Sequence, residues 1–170
     1  GFLIDYNQQM FIPDSESADM MLKRLELYKR LYTQIAEVQK VGLNNNRVAT
    51  ERNLLRTIDQ LENYLASSLD QDPLLLVNFS PEISDTEISE WKNKAINIID
   101  SNIRPTVSAY LDQLKTDHLP KGRGDDKCGI MWIDGGEESY LRSLRKYTGH
   151  KDTTVKEVHE IGLSEIERLK

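Results

Sequence analysis

The chain has 170 residues, 38% of them hydrophobic and 29% charged. That is the size of one domain able to bury roughly 70% of its unfolded surface, and the composition excludes a disordered polymer. A net charge of −6 argues against the basic face that nucleic-acid phosphates require. The longest apolar run, Leu74-Leu75-Leu76-Val77, falls far short of the ~20 residues of a membrane span.

Residues 1 to 13 carry Phe2, Leu3, Ile4, Phe11 and Ile12 without helical spacing and end at Pro13, so they read as an extended arm or strand. The start lacks the basic residues and long apolar core of a signal peptide. From about Ser17 to Lys40, Met21, Leu25, Tyr28, Tyr32, Ile35 and Val38 recur at three- and four-residue steps, the signature of one apolar helical face. Asp14, Ser15 and Ser17 offer caps, and Gly42 is placed for a left-handed C-terminal residue. Asn44-Asn45-Asn46 predicts a turn, and a second helix starts near Thr50 with Leu54, Ile58, Leu61 and Leu65 as its stripe. The short loop makes the two helices antiparallel neighbours. Leu74 to Phe79 reads as an irregular or 3₁₀ crossover.

Ser84-Asp85-Thr86-Glu87 has the capping-box form of hydroxyl, two residues, then Glu. The long helix behind it carries Trp91, Ala95, Ile99, Ile103, Val107 and Leu114, interrupted by Pro105. An interior proline removes one hydrogen bond and crowds the carbonyl four residues back, so a kink is expected there. Lys121 to Lys127 is a glycine-rich charged loop. Its spacing is neither a phosphate loop nor a dinucleotide fingerprint, although it spells Arg123-Gly124-Asp125, a cell-adhesion tripeptide common by chance. Gly129 to Asp134 predicts a short, mostly buried strand or hairpin. Gly135-Gly136 then opens a helix with Glu137 and Glu138 in its first turn and Arg142, Arg145 and Lys146 toward its end, as the helix dipole favours. Thr154-Val155-Lys156-Glu157 is a second capping box, leading a helix that still runs at Lys170. A start without Met and this unfinished helix lead us to expect a piece of a longer chain.

Chemistry-bearing groups are sparse. His159-Glu160 lacks the second histidine four residues on, since Leu163 stands there, so both imidazoles of a helical zinc pair are not available. His118 and His150 lie at unrelated spacings, and neither a metal site nor a catalytic centre is expected inside the chain. Asp125-Asp126 and Glu137-Glu138 are adjacent acids that diverge rather than face each other. Cys128 is a free loop thiol or one half of a bridge to another chain, and Asn78-Phe79-Ser80 is a glycosylation sequon.

The run Gly-Gly-Glu-Glu-Ser-Tyr-Leu from Gly135, with Leu144-Arg145-Lys146-Tyr147-Thr148 and the Thr154 to Ile166 segment, resembles the domain-of-unknown-function 885 family. The resemblance extends upstream through Gly129-Ile130-Met131-Trp132, Ile103-Arg104-Pro105 and Val41-Gly42-Leu43. It implies an all-α fold of about five helices in an elongated array and the middle portion of a zinc metallopeptidase-like protein. The family's zinc motif, of the H-E-x-x-P-G-H kind, would lie beyond Lys170. Zinc is then implied for the complete protein and no cofactor for this chain. The remainder of the protein or a companion chain would be its partner, a peptide its substrate, and a secreted or cell-envelope site its location. Tyr140, Arg145, Tyr147, Thr148 and His159 lie in the stretch most like the family and are the candidates for a substrate cleft, their alternative role being helix packing and capping. A helical binding or structural module without activity is the other reading.

Overall fold

The computed structural model describes residues 10–170; the expected arm at Phe2 to Ile4 lies outside them. Two short strands, β1 (Phe11–Ile12) and β2 (Asn78–Phe79), pair in parallel with Phe11 opposite Asn78 and Ile12 opposite Phe79. Amide-to-carbonyl bonds from Asn78 to Met10 (3.0 Å) and from Ser80 to Ile12 (2.9 Å) hold them. Apart from an isolated bridge between Thr50 and Arg123, the other described residues form helices, turns and short connections.

Helix α1 (Ser15–Asn44) begins where the Asp14 carboxylate accepts the Ser17 amide at 2.8 Å, a bond that holds its pKa below the usual range. It buries Ala18, Met21, Leu22, Leu25 and Tyr28 on the face that the periodicity predicts. Gly42 does not end it. The helix runs on to Asn44, the Asn45 side chain closes it by donating to the Val41 carbonyl at 2.7 Å, and positive φ falls on Asn46 at 53°. Asparagine visits that region more readily than other side chains, and here its amide is held by the distant Asp134 carboxylate. Val38, expected in the stripe, is exposed, because the last turns of α1 turn Ile35, Ala36 and Leu43 toward the second cluster and leave Val38 on the outer face.

Helix α2 (Glu51–Ala66) follows, then two 3₁₀ turns through the crossover to β2. Ser84 caps α3 (Asp85–Ile98) with the full reciprocal box: its Oγ accepts the Glu87 amide and the Glu87 carboxylate accepts the Ser84 amide at 3.0 Å. At Pro105 the chain does not break. A π turn over Ile99–Ile103 leads directly into α4 (Arg104–Gln113), with the Arg104 amide reaching back five residues to Ile99. Widening the turn accommodates a residue that has no N–H and crowds the carbonyl behind it. A second π turn, Leu114–His118, prolongs the rod.

The main core packs α1 against Trp91, Ala95, Ile99, Ile103 and Val107, with the Trp91 indole donating to the Ala18 carbonyl at 2.9 Å. A second cluster joins Val48, Leu54 and Ile58 to Tyr110, Leu111 and Leu114. The fold is therefore all-α with one small sheet. That sheet is not at 129–134: Ile130–Trp132 forms a 3₁₀ turn, and Ile130, Met131 and Trp132 are exposed rather than buried. Among the described residues no strand lies beside this run, so it has no edge to pair with. Helices α5 (Gly136–Thr148) and α6 (Val155–Leu169) complete the chain.

Candidate functional site

The five cleft candidates sit on α5 and α6, so what fixes the start of α5 matters first. Arg123 is the main pin. Its Nε donates to the Val48 carbonyl at 2.8 Å, and its Nη1 donates to the carbonyls of Gly129 at 2.9 Å and of Lys127. Its backbone bridges the loop ahead of α2: the Arg123 amide donates to Ala49 at 3.1 Å and the Glu51 amide to Arg123 at 2.8 Å. The arginine of the Arg-Gly-Asp tripeptide is thus spent inside the molecule. Close by, Arg47 Nε donates to the Asp134 carbonyl at 3.2 Å and the Asn46 amide to the Asp134 carboxylate at 3.3 Å. These bonds tie the 122–135 loop to the turn between α1 and α2.

Two glycines then set the start of α5. Gly135 has φ of 69°, the left-handed region that side chains disfavour. Gly136 is buried against the 3₁₀ turn so closely that a Cβ there would lie 1.7 Å from the Ile130 carbonyl oxygen. The far end of α5 closes at Gly149, also left-handed at 72°, whose amide donates to Arg145 at 3.0 Å. Thr154 rebuilds the reciprocal box at the head of α6, and its hydrogen bonds keep the Glu157 pKa below the usual carboxylate range.

Along α5 and α6, Tyr140, Arg145, Tyr147 and His159 are exposed, Tyr147 to 85%. The Lys146 ammonium lies 5.7 Å from the Tyr147 ring centroid. Thr148 is half-buried and already occupied: its hydroxyl donates to the Leu144 carbonyl at 2.9 Å and accepts the His150 amide at 3.4 Å. None of the grooves described among residues 10–170 is lined by any of the five. The open groove nearest them is formed by His150, Lys151, Asp152, Thr153, Glu157, Glu160, Ile161 and Ser164, and includes none of the five. Cys128 is exposed, and Asn78 is exposed on β2. Among the described residues no group of three or more His, Cys, Asp or Glu side chains gathers where a metal could be held, and no helix is long and apolar enough to cross a membrane. The zinc that the resemblance implies has no fitting donor set here.

Two polar clusters escaped the sequence pattern. Asp72, fully buried, accepts the Leu74 amide at 3.0 Å and an Arg104 Nη2 hydrogen at 3.1 Å. Arg104 also donates to the Ser67 carbonyl at 2.8 Å and its hydroxyl at 3.2 Å, with its guanidinium 5.4 Å from the Tyr64 ring centroid. Burial first, then the Asp72 charge, pushes the Tyr64 phenol well above its ordinary pKa. At the second π turn His118 is buried, and the Gln113 amide nitrogen spans the Ala36 carbonyl at 3.0 Å and His118 Nε2 at 3.1 Å. An amide nitrogen only donates, so Nε2 accepts and the ring is neutral, consistent with a pKa lowered by burial.

Residues 2–170 match the family model described as bacterial protein of unknown function, DUF885. The chain belongs to this family. No curated protein matches it. Its fold is similar to the crystal structure of a candidate lipoprotein from Colwellia psychrerythraea, with a TM-score of 0.83 at 19% identity over 99% of this chain. The chain spans only 30% of that protein's length. At this identity the likeness speaks for a shared fold and not for an activity.

Proposed function

We propose that residues 1–170 are the non-catalytic helical portion of a zinc metallopeptidase-like protein. In this reading α5 and α6 form one wall of a peptide cleft, and a part outside these residues supplies the metal, its ligands and the base. The observation that carries it is the exposure of the α5 and α6 side chains behind a loop that is itself tied to the turn between α1 and α2, in a fold that occupies 30% of its structural neighbour. Arg145 would hold a peptide carboxylate or carbonyl through its planar fork, and Tyr140 and Tyr147 would flank the chain with apolar surface and a hydroxyl. The neighbour's description as a candidate lipoprotein favours a cell-envelope or secreted location.

The test is peptide hydrolysis and zinc content of the longest gene product that contains this segment. Zinc bound at one equivalent and hydrolysis of an unstructured peptide mixture are expected, with Arg145→Ala and Tyr140→Ala lowering kcat/KM at least about tenfold. Hydrolysis without dependence on either residue would remove the wall role. Absence of both zinc and hydrolysis would leave the second reading, a helical binding or structural module. That reading is favoured by the grooves described among residues 10–170, none of which is lined by any of the five candidates.

A further inference from the structure

Gln113 and His118 are five residues apart, a spacing that a regular α-helix would turn about 140° away from each other. The π turn at Leu114–His118 repeats at five-residue steps and brings the two side chains together, with the Gln113 amide nitrogen 3.1 Å from His118 Nε2. The same nitrogen lies 3.0 Å from the Ala36 carbonyl of α1. A carbonyl can only accept, so the side-chain amide presents its nitrogen here and not its oxygen. Its two hydrogens then serve one acceptor each, and Nε2 must be unprotonated. The three-way contact therefore exists only with a neutral ring whose proton sits on Nδ1.

We propose that Ala36, Gln113 and His118 form a proton-operated latch, which ties α1 to the end of the helical rod at neutral pH and releases it in mild acid. A proton on Nε2 sets a donor against a donor. The amide must then reverse to offer its oxygen to the ring, and that oxygen meets the Ala36 carbonyl, acceptor against acceptor. Gln113 can satisfy the imidazolium or hold α1, not both. The charges acting on the ring come from Asp117 on its own turn, which favours the imidazolium, and from Lys121 on the next 3₁₀ turn, which opposes it; burial is the largest influence and also opposes it. On the neighbouring elements, α1 offers the uncharged Ala36 carbonyl, Glu62 of α2 is paired with Lys115, and burial raises the pKa of the Tyr110 phenol, which stays neutral. The latch is complete above the unfolded imidazole value near 6.5 and is lost as pH falls through the lower folded value. Ile35 and Ala36 pack against the second cluster, so release loosens that seam and leaves the main core around Trp91, Ile99 and Ile103 as it is. Neither zinc nor peptide enters the latch, so it stands or falls apart from the peptidase reading.

A pH titration of the longest gene product that contains this segment, isotope-labelled in histidine and glutamine and followed by NMR, decides this. At pH 7.5 the His118 ring should carry its proton on Nδ1, and the Gln113 side-chain hydrogens should exchange at least about tenfold more slowly than those of a free glutamine. Acidification through the His118 pKa should abolish that protection. Backbone exchange at 35–43, corrected for its intrinsic slowing in acid, should quicken over the same range while the main core is unchanged. His118→Gln should remove this pH dependence. Gln113→Glu, whose carboxylate accepts from the imidazolium and cannot donate to Ala36, should raise the His118 pKa by at least about one unit. A proton on Nε2 at pH 7.5, Gln113 hydrogens indifferent to the titration of His118, or the same acid response at 35–43 in His118→Gln would overturn the latch. Should either variant fail to fold, the ring tautomer and the titration of the native chain decide the matter without it.

Discussion

Arg104→Met keeps an unbranched stem of similar reach and removes the charge that answers Asp72. In the native fold the Asp72 side chain is 0% exposed and that of Arg104 13%, so neither ion can turn to water when the other is lost. The variant forfeits the bonds to Asp72, the Ser67 carbonyl and the Ser67 hydroxyl, and leaves Asp72 with only the Leu74 amide. Breaking a buried pair by removing one partner costs about 3–5 kcal/mol, chiefly from the stranded charge. That is a large share of the 5–15 kcal/mol typical of a folded domain. With a urea dependence near ~2 kcal/mol per molar, the unfolding midpoint should fall by roughly 2 M. Adding Asp72→Asn to Arg104→Met should recover a substantial part of the loss, because the orphaned charge is then gone. A midpoint shift below about 0.3 M, or a double variant no more stable than the single one, would refute the argument that a desolvated charge drives the effect.

Gly136→Ala should detach the head of α5, since its methyl would lie 1.7 Å from the Ile130 oxygen; a local cost of at least about 1–3 kcal/mol should appear as faster amide exchange across 130–148. Thr154→Ala removes the hydroxyl that accepts the Glu157 amide at 3.3 Å, and should cost about 1 kcal/mol and lower helicity measured by circular dichroism. His118 is kept neutral, its pKa lowered by burial and further by Lys121 against an opposing influence from Asp117. Its contribution to stability is therefore complete above the unfolded value near 6.5 and declines as pH falls below it toward the lower folded value. Urea midpoints taken from pH 7.5 down to 5 should fall more steeply for the native chain than for His118→Gln, and parallel curves would remove His118 from the account.

Much of the fold was legible along the chain. The stripes at Met21, Leu25 and Tyr28 and at Leu54 and Ile58 turned inward, both capping boxes formed, and the disturbance at Pro105 was absorbed as a π turn in one helical run. The apolar run at 130–133 misled, because hydrophobicity marks what would gain from burial and not whether a neighbour is there to bury it. Of the candidate site, the five residues fall on the two helices that the periodicity places at 136–148 and 155–169, but none of them lines a described groove. Thr148 illustrates why: its hydroxyl satisfies the turn behind it, a use that looks the same in sequence as a group offered to a ligand.

What the chain determined unaided is what passes between residues three or four apart: helix periods, caps at Ser84 and Thr154, and a dipole-ordered α5. Tertiary structure alone decided the groups joined at long range, such as Arg123 with Val48 at a separation of 75 residues and Arg104 with Asp72 at 32. A local hydrogen bond repeats with the helix turn and leaves a pattern. A bond between distant segments depends on where two surfaces meet, and a charged side chain looks identical in sequence whether it ends in water or inside the core.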